Sequence, residues 1–231
     1  MTSRASELNH IIESGRADKE FDRVTGFDTI LDASSPKHIF MAGKEWPEID
    51  YGRGLEALYQ LKSPEQIYNA GVYWPVFDFE AGLMMLLAIN EPEFIYRAGR
   101  FWKVFDVEKG LDALVKAGDA RYVYYAGHEW PRYNFEKGQD FLNVAGNAEY
   151  LFYAGAHWTQ FDLSLGIAAL LSTQNSEYIY RAGSIWTEFD YPSGWKALER
   201  DVINAGSWRE AALENSKWRT ALINIWHSML E

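Results

Sequence analysis

The sequence predicts an all-α solenoid, a superhelical array of about seven helix-turn-helix repeats closed by a C-terminal helix. Three observations predict it. An Ala-Gly pair followed by Trp recurs as Ala42-Gly43 with Trp46, Ala70-Gly71 with Trp74, Ala98-Gly99 with Trp102, Ala126-Gly127 with Trp130, Ala154-Gly155 with Trp158 and Ala182-Gly183 with Trp186. Neighbouring tryptophans differ by 28 throughout (74 − 46, 102 − 74 and onward), and an unslipped period of that size marks stacked units that bury their apolar faces on one another. Helix-start residues recur at the same interval as Ser35, Ser63, Glu91, Asp119, Asn147 and Asn175, followed in three units by Pro36, Pro64 or Pro92 at the favoured first helical position. Finally, a column of Asp22, Asp50, Asp78, Asp106, Asn134, Asp162 and Asp190 predicts the cap of a second helix in each unit.

In chain order, residues 8–35 form a degenerate first unit, with Ile11, Gly15, Asp22, Gly26 and Ile30 in register with Ile39, Gly43, Asp50, Gly54 and Leu58. Asp18 stands where the other units carry Trp, as suits an N-terminal cap with no earlier neighbour to cover that side chain. Full units follow at 36–63, 64–91, 92–119, 120–147, 148–175 and 176–203 of one repeat domain spanning 1–231. In the first helix of a unit, Ile95, Ala98, Gly99 and Trp102 fall on one face at 3.6 residues per turn. Pro47, Pro75 and Pro131 after the Trp stop that helix. A second helix of about twelve residues follows, with Gly110, Leu111 and Leu114 inward.

Two glycine columns inside helices cost roughly 0.5–1 kcal/mol per residue against Ala, on the order of 10 kcal/mol over the array. Close approach of two helix backbones at Gly99 and Gly110 would offset this; the alternative makes Gly99 a left-handed C-cap. Beyond 203 the register fails. Residues 204–231 read as a C-terminal cap in which Ser216–Leu230 forms an amphipathic helix with Trp218, Leu222, Ile225 and Met229 on one face. A second reading makes Trp226 and Met229 a dimerisation face, and the oligomeric state stays open.

Aromatic content of 16 % supplies ample surface to bury, while a net charge of −11 opposes direct binding to nucleic acid or to an anionic membrane surface. With no Cys there is no disulfide and no thiolate metal site. The N-terminus lacks the apolar core of a secretory signal and the longest apolar run, Leu83–Ile89, is too short to span a bilayer, so a cytoplasmic location is expected.

Catalytic constellations are absent from the pattern. The Asp column accepts Asn134, which suits a cap and not a general base. His10, His38, His128, His157 and His227 are scattered without metal-ligand spacing, although His128 and His157 fall at neighbouring positions of adjacent units and could face one groove. The Trp column could stack sugars or methylated cations, but its place on the inward stripe reads as core. No cofactor is expected.

The unit pattern Tyr-Ile-Tyr-x-Ala-Gly-x-x-Trp-x-x-Phe-Asp, clearest in 92–114 and 176–198, resembles short helical repeats of uncharacterised phage and bacterial proteins. That likeness implies an α-helical array and no activity.

Positions that vary between units then become the candidates for function, since repeated positions build the scaffold. Two such columns lie off the apolar stripe of the first helix: Met41, Asn69, Arg97, Tyr125, Tyr153, Arg181, and Lys44, Val72, Arg100, His128, Ala156, Ser184. Arg97, Arg100, Tyr125, His128, Tyr153 and Arg181 form the expected binding face, because Arg and Tyr dominate interface hot spots. A solvated face of chance composition is the plain alternative, and Glu93, one turn before Arg97, can neutralise part of the charge. The expected function is non-enzymatic engagement of a protein partner. Two alternatives are an acidic mimic that occupies a nucleic-acid-binding protein, and capture of a small anionic ligand such as a nucleotide by Arg97, Arg100 and His128.

Overall fold

The computed structural model describes residues 3–200 and 205–228, which contain sixteen helices and no strand. In chain order these are α1 (Arg4–Ala17), α2 (Arg23–Asp32), α3 (Pro36–Glu45), α4 (Tyr51–Gln60), α5 (Pro64–Tyr73), α6 (Phe79–Ile89), α7 (Pro92–Phe101), α8 (Val107–Ala117), α9 (Ala120–Glu129), α10 (Phe135–Ala145), α11 (Ala148–His157), α12 (Leu163–Ser172), α13 (Ser176–Ile185), α14 (Tyr191–Arg200), α15 (Ala205–Glu214) and α16 (Ser216–Ser228). Two compact units divide the chain, 1–113 and 114–231. In each, a first helix packs on the second helix of its own pair and on the first helix of the next, as α3 does on α4 and α5 and α11 does on α12 and α13.

Helix ends follow local chemistry. The Asp/Asn column caps as expected: Asp50 accepts from Arg53 N–H at 3.0 Å, Asn134 from Lys137 N–H at 3.1 Å and Asp162 from Leu165 N–H at 3.1 Å. Asn therefore serves where Asp does, since one side-chain oxygen satisfies one orphan amide. First-helix caps are of two kinds. Asp119, Asn147 and Asn175 accept backbone N–H bonds, whereas Ser35, Ser63 and Glu91, each followed by Pro, make none. Ser35 Oγ turns instead to His38 Nδ1 at 2.7 Å.

The tryptophans do not continue the first helix. Trp46, Trp74, Trp102, Trp130, Trp158 and Trp186 are C-caps in extended geometry, each N–H bonded to the Ala carbonyl four residues earlier. From there five of these indoles reach back into the preceding repeat. Trp46 Nε1 donates to Ile12 O (3.1 Å), Trp74 to Phe40 O (3.0 Å), Trp102 to Tyr68 O (3.0 Å), Trp158 to Tyr124 O (3.1 Å) and Trp186 to Phe152 O (3.2 Å), always 34 residues back. Asp18, at the corresponding position of the first repeat, is exposed and accepts from Glu20 N–H at 2.8 Å.

This direction also revises the role of the glycines. Gly15, Gly43, Gly71, Gly127, Gly155 and Gly183 lie inside helices, and a Cβ on any of them would overlap the indole of the following repeat. The second column seats the far edge of the same indole together with a ring from the turn: Trp102 Cη2 lies 3.3 Å from the Cβ position of Gly82, where Phe77 also presses. The close approach is of backbone to ring and not of backbone to backbone. Gly99 likewise sits inside α7, buried and three residues before the Trp102 C-cap, so it is no left-handed cap. Aromatic contacts at edge-on angles complete each seat, as Phe77 and Phe79 on Trp102 (5.1 and 5.7 Å) and Tyr133 and Phe135 on Trp158 (5.4 and 5.6 Å).

Left-handed backbone recurs at 28-residue intervals between helix pairs: Ser34, Lys62, Asn90, Gly118, Gly146 and Gln174 have φ from 48° to 75°. Only two of the six are glycine, so this column is invisible as a composition pattern, and the others adopt a conformation that costs an L-residue about 1–2 kcal/mol.

At the C-terminal end the expected single capping helix is two helices, α15 and α16, which pack on α13 and α14. Strict register would place the next Trp at 214, but Trp218, 32 residues after Trp186, takes the seat. Its ring is fully buried over Gly183 and Gly194, and its Nε1 donates to Tyr180 O at 3.0 Å, 38 residues back. Four extra residues thus shift the column without ending it. Trp218 and Leu222 are buried as the stripe predicts, and Trp226 is exposed; Met229 and Leu230 lie outside the described residues, as do 201–204. No helix among the described residues is long and apolar enough to cross a membrane.

Candidate functional site

In the second unit, α9, α11 and α13 lie side by side and gather aromatic side chains from three consecutive repeats. At the centre is Tyr124, buried, whose hydroxyl lies 2.7 Å from His157 Nδ1. Around it stand His128 (ring centroids 6.2 Å, nearly parallel), Tyr125 (5.3 Å), Tyr150 (5.8 Å) and Tyr153 (5.8 Å). Tyr153 stacks on His157 at 5.9 Å, and the His128 and His157 rings are 5.9 Å apart, so the two histidines do share one surface. The chain of rings extends on one side through Tyr125 to Tyr122 (6.5 Å) and on the other through Tyr153 to Tyr178 (6.5 Å), where the Arg181 guanidinium sits 5.5 Å over the Tyr178 ring.

Burial raises the pKa of Tyr124, Tyr150 and Tyr178 above the ordinary 10, with neighbouring Glu129, Glu149 and Glu177 adding to the effect. These hydroxyls therefore keep their protons at neutral pH and remain donors. Among the described residues no three His, Asp or Glu side chains converge to hold a metal ion.

Of the expected binding residues, Tyr125, His128 and Tyr153 are brought together here, with Arg181 joined through Tyr178. Arg181 is also paired with Glu177 at 2.8 Å. Arg97 and Arg100 belong to the first unit, on α7. There Arg97 pairs with Glu93 at 2.7 Å and lies 5.6 Å over Phe94, while Arg100 lies 4.8 Å over Phe101 and 3.4 Å from the Tyr96 hydroxyl. The guanidiniums of Arg97 and Arg181 are each engaged by a carboxylate one turn earlier, which weakens the pull of either on an anionic ligand.

Sequence reasoning passed over Tyr122, Tyr124, Tyr150 and Tyr178. Positions 122, 150 and 178 repeat as Tyr at the 28-residue interval, and a repeated position reads as scaffold. The available signal was that tyrosine, unlike the Ile beside it, carries a polar tip that suits a surface.

The fold and this surface define the chain as an α-helical repeat array. It matches no protein-family model, no curated protein and no solved structure. Its likeness to phage and bacterial helical repeats therefore rests on the unit pattern alone.

Proposed function

We propose that this is a non-enzymatic binding protein whose α9–α11–α13 face engages a protein partner. The observation that carries the reading is the continuous tyrosine and histidine surface drawn from three repeats, centred on Tyr124 and presenting Tyr125 at 37 % exposure. Tyrosine supplies large, stiff contact area with a polar tip, and such rings dominate interface hot spots. A buried ring network beneath exposed rings also lowers the conformational entropy lost on docking.

The test is photocrosslinking from benzoylphenylalanine placed at 125 or at 153 in the full-length chain, with Val144 on α10, 88 % exposed, as the control position. A discrete partner should crosslink from 125 and 153 and not from 144, and should persist in about 1 M salt, where the screening length is about 3 Å. Equal capture from all three positions, or none, overturns the assignment. Capture that vanishes with salt favours the acidic-mimic alternative.

A further inference from the structure

The partner class can be argued from the surface itself, and the argument rests on the protein-binding reading above. Tyrosines recur at 122, 150 and 178 near the start of α9, α11 and α13, and again at 125 and 153 one turn on. Packed helices lie about 8–10 Å apart, so each tyrosine column climbs the face in steps of that size. A polyproline II strand has three residues per turn and rises about 3.1 Å per residue, which brings the same side of the strand round about every 9.3 Å. A strand laid across the three helices would place every third residue against the next repeat's tyrosines.

The chemistry agrees with the spacing. Proline rings pack on aromatic faces, and the strand makes no internal hydrogen bonds, so its carbonyls need donors. The rings of Tyr150 and Tyr178 adjoin those of Tyr125 and Tyr153 on this face, and each of these residues carries a hydroxyl. The acidic side chains of Asp119, Glu129, Glu149 and Glu177 flank the rings, against Arg121 and Arg181, which are paired with Asp119 and Glu177. Together with the net charge of −11, this favours a ligand bearing cationic residues.

We infer that the α9–α11–α13 tyrosine surface is a docking site for a proline-rich segment in polyproline II conformation that carries Arg or Lys beside its prolines.

Full-length protein titrated calorimetrically with decaproline, with Arg-flanked decaproline and with an Arg-flanked Gly-Ser peptide of equal length tests this. Both proline peptides should bind, the Arg-flanked one more tightly, and the Gly-Ser peptide should not. Joint Tyr125→Ala and Tyr153→Ala substitution, with helicity and melting temperature unchanged, should weaken both proline peptides about ten-fold or more. Glu149→Gln should weaken only the Arg-flanked peptide. Failure of both proline peptides to bind at about 1 mM, or unchanged affinity in the double variant, overturns the inference. So does tighter binding of an oligo-dT strand, which would make the rings a base-stacking platform. If the crosslinked partner appears and the peptides fail, protein binding stands and the proline-rich ligand falls; if both fail, both readings fall.

Discussion

Gly43→Ala should destabilise the protein, against the usual direction of such a change in a helix. At a solvated helical position, Gly→Ala stabilises by roughly 0.5–1 kcal/mol. Gly43 is buried in α3, and a Cβ there would overlap Cε2, Nε1 and Cζ2 of the Trp74 indole. Forcing a methyl into a packed core costs about 1–3 kcal/mol. Displacing the ring also weakens the 3.0 Å bond from Trp74 Nε1 to Phe40 O, a loss of about 1 kcal/mol. With the helical gain subtracted, the net is about 2 kcal/mol of destabilisation, or a melting temperature lower by about 4–8 °C for a chain of this size. Gly52→Ala in α4 is the internal comparison, because its Cβ would meet nothing nearer than Asp50 Oδ1 at 3.4 Å; it should be neutral or stabilising. Urea denaturation followed by tryptophan fluorescence measures both. Trp74→Leu should remove the penalty of Gly43→Ala, so that the pair is strongly non-additive. If Gly43→Ala behaves like Gly52→Ala, the indole does not occupy the glycine seat and the account of the repeat interface is wrong.

Two other perturbations probe positions where one repeat departs from the rest. Gln139 occupies the column of Leu55, Leu83, Leu111 and Ile167, buried, with its amide clamped to Asp162: Nε2 donates to the carbonyl at 2.7 Å and Oε1 accepts from the N–H at 2.8 Å. Gln139→Ala should cost about 2–3 kcal/mol, since it leaves Asp162 backbone groups unpaired, while Gln139→Leu restores the column residue and should cost less; equal midpoints for the two in urea denaturation would show the clamp to be idle. His38 is buried between Ser35 Oγ and Asn9 Oδ1, and burial, aided by Lys37, lowers its pKa below the ordinary 6.5. The unfolded chain then binds the proton more readily, so this contribution to stability is full above about 6.5 and is lost as pH falls through the depressed folded value. His38→Gln should flatten stability between neutral and mildly acid pH, and an unaltered pH profile would refute the assignment.

How much of the surface could be read from the chain alone is shown by Tyr125 and Tyr124. Tyr125, His128 and Tyr153 stand out because they vary in columns off the apolar stripe, a one-dimensional signal. Tyr124 does not: its column holds Phe40, Tyr68, Phe152 and Tyr180 and reads as core. Its importance comes from His157, 33 residues away, which meets its hydroxyl only because α9 and α11 are packed neighbours. The Arg97–Glu93 pair was legible because it lies one turn apart on one helix.

By itself the sequence determined whatever depends on near neighbours in the chain. The Asp50 and Asn134 caps and the proline-marked starts of α3, α5 and α7 depend on residues within about four positions, and the 28-residue period is the spacing at which they recur. Only the tertiary structure decided the rest. That the indoles of Trp46, Trp74, Trp102, Trp158 and Trp186 point back to carbonyls 34 residues earlier, that the glycines are seats for rings, and that Trp218 fills the seat strict register assigns to 214 all follow from packing between helices. Packing selects shape and distance in space, and four inserted residues, or a left-handed Lys62 in place of glycine, leave that shape intact while erasing its mark from the sequence.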